Sequence, residues 1–324
     1  MSRLHRGPFQ WGDRVQLTDS KGRHITLSMT PGGEVHSHKG VVKHEQLLDL
    51  PEGSVIANSH GVEYLAFRPL LGDFAMSMPR GAAIVYPKDA AQIVTFGDIF
   101  PGAVVVEAGV GSGALTLSLL RAVGESGSVT SFERRDEFAE IAGANIASFF
   151  GGAPANHRIV VGDLVEELPG QFGVGEVDRV VLDMLAPWEC VDAVGTALVA
   201  GGVVVCYVAT VTQMSRTVEA LRHHGGFTNI DHFETMVRGW HVDGLAVRPD
   251  HRMVAHTGFL ITARRLTDGT VPPMSRRNKP EFEDSDIEAW TPGAVGQRET
   301  SAKRLRKAAR DAASNRDIAL GDEQ

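Results

Sequence analysis

Short runs of alternating apolar and polar residues occupy the amino-terminal part of the chain. Such alternation is typical of half-buried β-strands, and the first two runs lie on either side of a turn at residues 19–22. The strand candidates in this part are residues 14–18, 24–29, 34–40 and 54–57. We therefore expect a small N-terminal β domain over residues 1–67, followed by a connector at residues 68–102.

From residue 103 onwards, apolar runs alternate with segments of helical spacing. The run at residues 103–107 is apolar up to its final acid, Glu107, and the run at residues 202–208 is apolar throughout, as expected for parallel strands covered by helices on both faces. The remaining strand candidates are residues 128–132, 158–161, 177–182 and 257–263, and the helix candidates are residues 115–123, 138–149 and 214–223. This pattern predicts an α/β fold with a mostly parallel, doubly wound sheet, in a Rossmann-like domain over residues 68–266.

Residues 267–324 differ in composition from the rest of the chain. An acidic cluster at residues 281–288 is followed by a basic stretch at residues 303–310, and apolar residues are sparse. This composition predicts a charged, largely disordered tail. A second interpretation is that the basic stretch contacts RNA phosphates through its cationic side chains, which are Lys303, Arg304, Arg306 and Lys307.

Composition and charge exclude several classes of protein. Hydrophobic residues make up 43% of the 324 residues, which is enough for a packed core and excludes wholesale disorder. The chain has no run of about 18 apolar residues that would predict a transmembrane helix, and no membrane association is expected. Its first residues lack the apolar segment of a secretory signal, so we expect a cytoplasmic protein. The net charge of −8 argues against a non-specific polyanion binder and leaves open an enzyme with a local basic patch.

Two cysteines, Cys190 and Cys206, are too few for a disulfide framework or a four-cysteine zinc site. We expect both of them to be buried as small apolar side chains. Four histidines in the amino-terminal part have no cysteine or paired carboxylate to complete a metal site, so no metal is expected. These histidines are His36, His38, His44 and His60.

A glycine-rich turn follows the strand at residues 103–107. Gly109, Gly111 and Gly113 lie between that strand and the next helix, where glycine permits a tight turn and close approach of a ligand to the backbone. The spacing differs from that of a dinucleotide site. Glu107 precedes the first glycine by two residues and suits a cationic group, such as the ammonium of a methionine moiety.

Acidic residues stand at or next to the ends of four strands. After Glu107, these are Glu133, Asp163 and Asp183. Because ligands of open α/β sheets bind at the carboxyl ends of the strands, we expect these side chains to form one site. A carboxylate at Glu133 suits the two hydroxyls of a ribose, and one at Asp163 suits the amino group of adenine. Ribose, adenine and an amino-acid group together describe S-adenosylmethionine better than NAD.

Six short stretches match one group of enzymes. They are His36-Ser-His-Lys-Gly40, Met78-Pro-Arg-Gly81, Tyr86-Pro-Lys-Asp89, Glu107-Ala-Gly-Val-Gly-Ser-Gly113, Asp183-Met-Leu-Ala-Pro-Trp188 and His256-Thr-Gly-Phe-Leu260. The set resembles the class I S-adenosylmethionine-dependent methyltransferases and, more narrowly, the bacterial tRNA (adenine-58-N1)-methyltransferases in their actinobacterial form. The resemblance covers about residues 7–266, and the third and fifth stretches are specific in combination.

The resemblance implies S-adenosyl-L-methionine as cofactor, tRNA as substrate and a homotetramer as the assembly. It implies that Asp183 is the catalytic acid facing the target base, and that Tyr86 lines the same pocket as a second catalytic residue. Glu133 would hold the ribose, and Asp163 with the main chain near Leu164 would hold the adenine. The candidate cofactor-binding residues are Gln92, Glu107, Gly109, Gly111, Ser112, Gly113, Ala114, Glu133, Asp163, Leu164 and Asp183.

The chemistry of the target base agrees with an acid at the end of the fourth strand. Adenine N1 carries an in-plane lone pair and needs no strong base to attack a methyl group. The methylated base is cationic, so a carboxylate beside N1 and N6 stabilises the growing charge and can accept a proton. Pro187 and Trp188 follow Asp183, and Trp188 either lines the base pocket or packs in the core.

Two other functions remain open at this point. One is a class I methyltransferase with another substrate, such as an isoaspartyl protein-repair enzyme. Asp183 argues against a carboxylate acceptor, which it would repel. The other is a noncatalytic tRNA-binding paralogue, which would have a degraded glycine loop or a lost acid, whereas both are present here.

Overall fold

A computed structural model of the chain describes residues 7–37, 40–81 and 83–273. Most of the charged tail expected at residues 267–324, with its acidic cluster and basic stretch, lies outside these ranges, as does His38. No helix of the described ranges is both long and apolar enough to cross a lipid bilayer.

The amino-terminal part contains two small antiparallel sheets. Its strands are β1 (Arg14–Asp19), β2 (His24–Ser28), β3 (Glu34–Ser37), β4 (Gly40–Lys43), β5 (Ser54–Ala57) and β6 (Glu63–Phe67). Four of them form a sheet in the order β2-β1-β6-β5, and β3 pairs with β4. Val15 and Leu17 are fully buried and alternate with partly buried neighbours, as the pattern predicts. Strand β6, which was not among the strand candidates, completes the sheet through buried Tyr64 and Ala66.

The segment expected as a connector contains two helices, α1 (Leu71–Ser77) and α2 (Pro87–Phe96). Pro87 occupies the first helical position of α2, where its missing N–H has no intrahelical role. Phe74 of α1 and Ile93 of α2 are buried in the same apolar cluster as the central strands. This segment therefore belongs to the packed core of the α/β part.

A central sheet of seven strands forms the α/β part of the fold. The strands that follow α2 are β7 (Val104–Ala108), β8 (Ser128–Glu133), β9 (His157–Val161), β10 (Val177–Asp183), β11 (Leu198–Val208), β12 (Phe227–Phe233), β13 (Trp240–Asp243), β14 (Ala246–Pro249) and β15 (Phe259–Arg265). The central sheet has the order β12-β15-β11-β10-β7-β8-β9, with only β15 running antiparallel to its neighbours, while β13 and β14 form a separate hairpin. The chain order reverses between β7 and β10, so a crevice is expected at their carboxyl ends.

Helices cover both faces of the central sheet. They are α3 (Ala114–Val123), α4 (Asp136–Phe150), α5 (Leu164–Gln171), α6 (Val191–Ala197) and α7 (Val211–His224). Val105 and Val106 are neighbours on β7, and both are inaccessible to solvent. Val105 lies in one apolar cluster with Leu117 and Phe149, whereas Val106 lies in another with Leu168. The α/β fold with a doubly wound, mostly parallel sheet is confirmed.

Several elements were missing from the candidates drawn from the pattern, namely α5, α6, β12 and the hairpin of β13 and β14. Helix α5 contains Pro169 and buries only Leu164 and Leu168, so its apolar stripe is too short to stand out. In the hairpin nearly every residue is exposed, so no contrast between buried and exposed positions marks its strands. Cys190 and Cys206 are both buried and free, as expected.

Candidate active site

Two cavities open at the carboxyl edge of the central sheet, where the chain order reverses. The larger cavity has a volume of about 750 Å³ and the smaller cavity one of about 560 Å³. The residues that line both cavities are Gly109, Arg135, Asp183, Met184 and Leu185. Because these residues form a common wall, groups bound in the two cavities would meet beside Asp183.

The glycine loop between β7 and α3 touches the main chain at the end of β10. Gly109 has φ +87°, and a Cβ atom at this position would lie only 1.7 Å from the carbonyl oxygen of Asp183. Gly113 has φ +85°, and its Cβ would lie 3.3 Å from the carbonyl oxygen of Ala142 on α4. Glycine is therefore required at residue 109 for two reasons: its backbone has a positive φ, and a side chain there would overlap the main chain at the end of β10.

Glu133, the last residue of β8, stabilises the glycine loop through a hydrogen bond. It is 4% exposed, and its Oε2 accepts a hydrogen bond from the backbone N–H of Gly111 at 3.0 Å. Its Oε1 accepts from Nε of Arg135 at 2.9 Å, and the Arg135 guanidinium lies 3.7 Å from the centre of the Phe138 ring. Glu133 thus presents an oriented carboxylate to the larger cavity, with lone pairs still available for hydroxyl donors.

Asp163 follows β9 and caps the start of α5. Its Oδ1 accepts from the backbone N–H of Val165 at 2.8 Å, and its Oδ2 pairs with Arg134. Partial burial raises the pKa of Asp163, but the bonds from Val165 and Arg134 outweigh it, and the net pKa is below the usual value. The larger cavity is therefore lined by an ionised carboxylate at Asp163, next to Leu164.

Glu107 lies beneath the glycine loop and lines neither cavity. Its Oε2 accepts from Oγ1 of Thr116 at 2.8 Å and from Oγ of Ser131 at 2.7 Å. Its Oε1 is buried and has no hydrogen-bond partner in the described part of the chain. Burial raises the pKa of Glu107 to about 7, although the two hydroxyls oppose the shift. The expected contact with a ligand ammonium stays a prediction.

Asp183 is the acid that both cavities share. Burial, together with the negative charges of Glu107 and Glu133, raises its pKa to about 7. A carboxyl group with a pKa near neutral pH can exist in both protonation states, so it can accept a proton or stabilise a positive charge.

A wall of the smaller cavity joins α2 to the central sheet. Tyr86 lines this cavity and lies just before Pro87, the first residue of α2. The carboxylate of Asp89 is inaccessible and accepts from Nζ of Lys88 at 2.6 Å and from Oγ1 of Thr257 at 2.6 Å. The hydroxyl of Tyr207, which also lines the cavity, donates to Asp89 at 3.4 Å. Tyr86 is therefore held beside a buried polar network that pattern reasoning did not assign to the site.

His256 also lines the smaller cavity. Its place beside a strand predicts a hydrogen-bonded core histidine, but its side chain is 45% exposed. Its Nδ1 lies 2.9 Å from Oε2 of Glu234, and its Nε2 lies 3.0 Å from the carbonyl oxygen of Ala209. These two acceptors raise the pKa of His256, with the bond to Glu234 contributing most. In the sequence, His256 was marked only as the first residue of the matched stretch at residues 256–260, and no role in the site was assigned to it.

The structure separates the candidate cofactor residues into two groups. Gly109, Gly111, Glu133, Asp163, Leu164 and Asp183 line one or both cavities. The second group lines neither cavity. It contains Glu107 in β7, Ser112 and Gly113 in the glycine loop, Ala114 at the start of α3, and Gln92 in α2. The buried Oγ of Ser112 has no hydrogen-bond partner in the described part of the chain.

Trp188 lies away from both cavities, although it follows Asp183 closely in sequence. The guanidinium of Arg216 on α7 lies 4.3 Å from the centre of its ring. Trp188 is absent from the lining of either cavity, so of the two interpretations the structure favours packing over a place in the base-pocket wall.

Comparisons with known sequences point to one group of enzymes. The family model described as "TrmI-like N-terminal" matches residues 7–56, and the one described as "tRNA methyltransferase complex GCD14 subunit" matches residues 64–247. A tRNA (adenine(58)-N(1))-methyltransferase of Thermus thermophilus is 37% identical over 79% of this chain and 98% of its own length. A tRNA (adenine(57)-N(1)/adenine(58)-N(1))-methyltransferase of Methanocaldococcus jannaschii is 33% identical over 79% of this chain and 94% of its length.

Solved structures share the fold over most of the chain. An S-adenosylmethionine-dependent O-methyltransferase of Thermotoga maritima superposes with a TM-score of 0.76 at 31% identity, covering 81% of this chain and 98% of its own. A tRNA (m1A58) methyltransferase of Aquifex aeolicus superposes with a TM-score of 0.71 at 26% identity, covering 81% of this chain and 100% of its own.

Replacing Gly109 by alanine tests the contact between the loop and β10. We expect Gly109→Ala to abolish binding of S-adenosylmethionine in calorimetry, because the new methyl group displaces the main chain at Asp183. Gly225→Ala is the matched control: Gly225 has a left-handed backbone with φ +73°, but nothing lies within 4 Å of its Cβ.

The control variant should lose only the cost of the left-handed backbone, about 1–2 kcal/mol of the free energy of unfolding. Gly109→Ala should lose more in the same urea titration. Equal losses in the two variants, with cofactor affinity intact, would contradict the contact.

Proposed function

This chain belongs to the family of tRNA (adenine-58-N1)-methyltransferases, and we propose that its two cavities hold the two substrates of one methyl transfer. The enzyme transfers the methyl group of S-adenosylmethionine to N1 of adenine 58 in the thymine-arm loop of tRNA. The observation that carries the proposed arrangement is the position of Asp183, which lines both cavities. A cofactor in one and a nucleobase in the other would meet at this carboxylate.

The larger cavity fits S-adenosylmethionine by the chemistry of its residues. Glu133 presents an oriented carboxylate for the two ribose hydroxyls, and Asp163 with the main chain at Leu164 faces the adenine. The methionine part lies where the two cavities meet, against Gly109 and Gly111 of the loop at residues 109–114, and the buried carboxyl of Glu107 beneath the loop favours a cationic group. When bound, the cofactor supplies an electrophilic methyl group on a sulfonium.

Asp183 acts on the target base. The lone pair of adenine N1 is the nucleophile, and the methylated ring becomes cationic, so a carboxylate beside N1 and N6 stabilises the transition state. With its raised pKa, Asp183 can also accept a proton from N6 near neutral pH. Tyr86 contributes to catalysis by shaping the smaller cavity around the base, from the wall that Lys88 and Asp89 stabilise.

The site argues against both alternative functions that the sequence left open. An isoaspartyl acceptor brings a carboxylate to a site that already holds Asp183 and Glu133, and the like charges repel. A noncatalytic paralogue would have no need for a glycine loop fitted against the end of β10 or for an acid shared by two cavities.

We further propose three domains or segments, a homotetrameric assembly and a cytoplasmic location. The segments are residues 1–67, residues 68–266 and the tail at residues 267–324. The tRNA substrate supports the cytoplasmic location.

The hairpin of β13 and β14 supports self-association. Val242 and Val247 are paired directly across it and are 67% and 56% exposed. Leu245 in its turn is fully exposed, and Trp240 at its base is 61% exposed. Contiguous apolar exposure of this kind marks an interaction surface.

Methylation of unmodified tRNA tests the function. We expect the enzyme to convert one adenosine to 1-methyladenosine, detected by nucleoside mass spectrometry, and to leave a tRNA with guanosine at position 58 unmodified.

Asp183→Asn should still bind the cofactor but lose about 2–4 kcal/mol of transition-state stabilisation, which slows turnover roughly 30- to 1,000-fold. Methylation of a different nucleoside would refute the substrate, and full turnover by Asp183→Asn would remove this residue from the mechanism.

The raised pKa of Asp183 makes cofactor binding depend on pH. The cationic sulfonium favours the ionised carboxylate, so binding lowers the pKa of Asp183 from about 7 and releases protons near that pH. Affinity should therefore increase as the pH rises through about 7. Calorimetry in buffers of different ionisation enthalpy measures the released protons. Asp183→Asn is the control and should release fewer; identical release by both proteins would contradict the prediction.

Sedimentation equilibrium tests the assembly. The wild-type protein should have a mass of about four times the 34.8 kDa of one chain. Val242→Glu should give smaller species, because a charge in the hairpin opposes burial of its apolar face. Val174→Glu is the control at a position that is 77% exposed elsewhere on the surface, and it should sediment as the wild type does. A monomeric wild-type protein would refute the proposal.

A further inference from the structure

Leu185 is an exposed apolar residue in the wall that the two cavities share. It follows Asp183 by two residues and is 83% exposed. Among the described residues that line the smaller cavity, it is the only large apolar side chain exposed to this degree. Single exposed leucines are common on protein surfaces, so its position matters more than its exposure.

The main chain of Leu185 is held in place. Its carbonyl oxygen accepts from Nε2 of Gln213 at 2.9 Å. Gln213 is itself oriented at the start of α7, where its Oε1 accepts from the backbone N–H of Thr210 at 3.1 Å and from Oγ1 of Thr210 at 3.0 Å. The side chain therefore projects from a backbone position that is anchored to α7 by a hydrogen bond.

The position of adenine N1 in stacked, paired RNA explains why an exposed apolar side chain at this place would help the reaction. Adenine N1 lies on the base-pairing edge, so the base must leave its stack before N1 can reach Asp183. Eversion exposes the faces of the neighbouring bases and costs stacking energy. Enzymes and architectural proteins offset this cost by inserting apolar side chains, such as leucine, into the stack.

The charged residues of the wall are less suited to this role. The guanidinium of Arg134 pairs with Asp163, and Nε of Arg135 is bonded to Glu133. Both arginines therefore have acidic partners that belong to the cofactor side of the site. Leu185 is the exposed large apolar side chain of the wall that both cavities share.

We propose that Leu185 enters the tRNA stack beside the everted adenine and replaces the stacking contact that this base gives up. The inference rests on the proposed function, because it requires an RNA base as substrate. Leu185 is thus a positioning residue that favours the everted state, and the chemistry itself stays with Asp183.

The test uses the full-length enzyme and tRNA carrying 2-aminopurine in place of adenine 58, whose fluorescence rises when the base leaves the stack. We expect the wild-type enzyme and Leu185→Met to give the full rise and Leu185→Ala to give less than half of it at saturating enzyme. On unmodified tRNA and at saturating cofactor, the single-turnover rate of Leu185→Ala should fall roughly tenfold. Val174→Ala, at a position that is 77% exposed and lies before the start of β10, at the opposite end of that strand from Leu185, should match the wild type.

Each other outcome overturns the proposal in a distinguishable way. A full fluorescence rise with Leu185→Ala shows that eversion does not need this side chain, whether or not the rate falls. The absence of a rise with the wild-type enzyme shows that the base is not everted. If the wild-type enzyme forms no 1-methyladenosine on unmodified tRNA, the proposed function itself fails, and the mass spectrum shows this independently of the fluorescence.

Discussion

The close contact between Gly109 and the main chain of Asp183 is the constraint on which the rest of the site depends. A side chain at residue 109 would occupy the space of the Asp183 carbonyl, so the loop after β7 can lie against the end of β10 only with glycine there. This contact spans the point where the chain order of the sheet reverses. It brings the loop, the shared carboxylate and both cavities to one junction.

Negative charge accumulates around that junction and is balanced in different ways. Glu107 is buried under the loop and satisfied on one oxygen only, whereas Glu133 and Asp163 are each paired with an arginine. Asp183 has no such partner in the described part of the chain, and burial together with its acidic neighbours raises its pKa. The site therefore attracts a cationic ligand and keeps the carboxyl group of Asp183, which both cavities share, near the middle of its titration at neutral pH. An acidic chain is compatible with an RNA substrate because part of its acidity serves the cofactor.

The sequence predicted helices and strands correctly where buried positions recur with a regular spacing. Strands β7, β10 and β11 contain apolar runs because both faces of the sheet are covered, and helices α3, α4 and α7 were found from their apolar spacing. Helix α5 was missed because Pro169 interrupts a helix that buries only two residues. The hairpin at residues 240–249 was missed because it has no buried face within one chain.

The sequence by itself determined the α/β class, the row of acids after the strands and the resemblance to one family of methyltransferases. These follow from local rules, since strand ends of a parallel sheet share an edge and glycines mark a turn. Only the tertiary structure decided which candidates reach a cavity, and it placed Ser112 and Gln92 outside both. It also joined Thr257 to Asp89 across 168 residues of chain and brought Gln213 to Leu185. Contacts between residues so distant in sequence leave no periodic pattern, because they depend on how the elements pack and not on the spacing within any one of them.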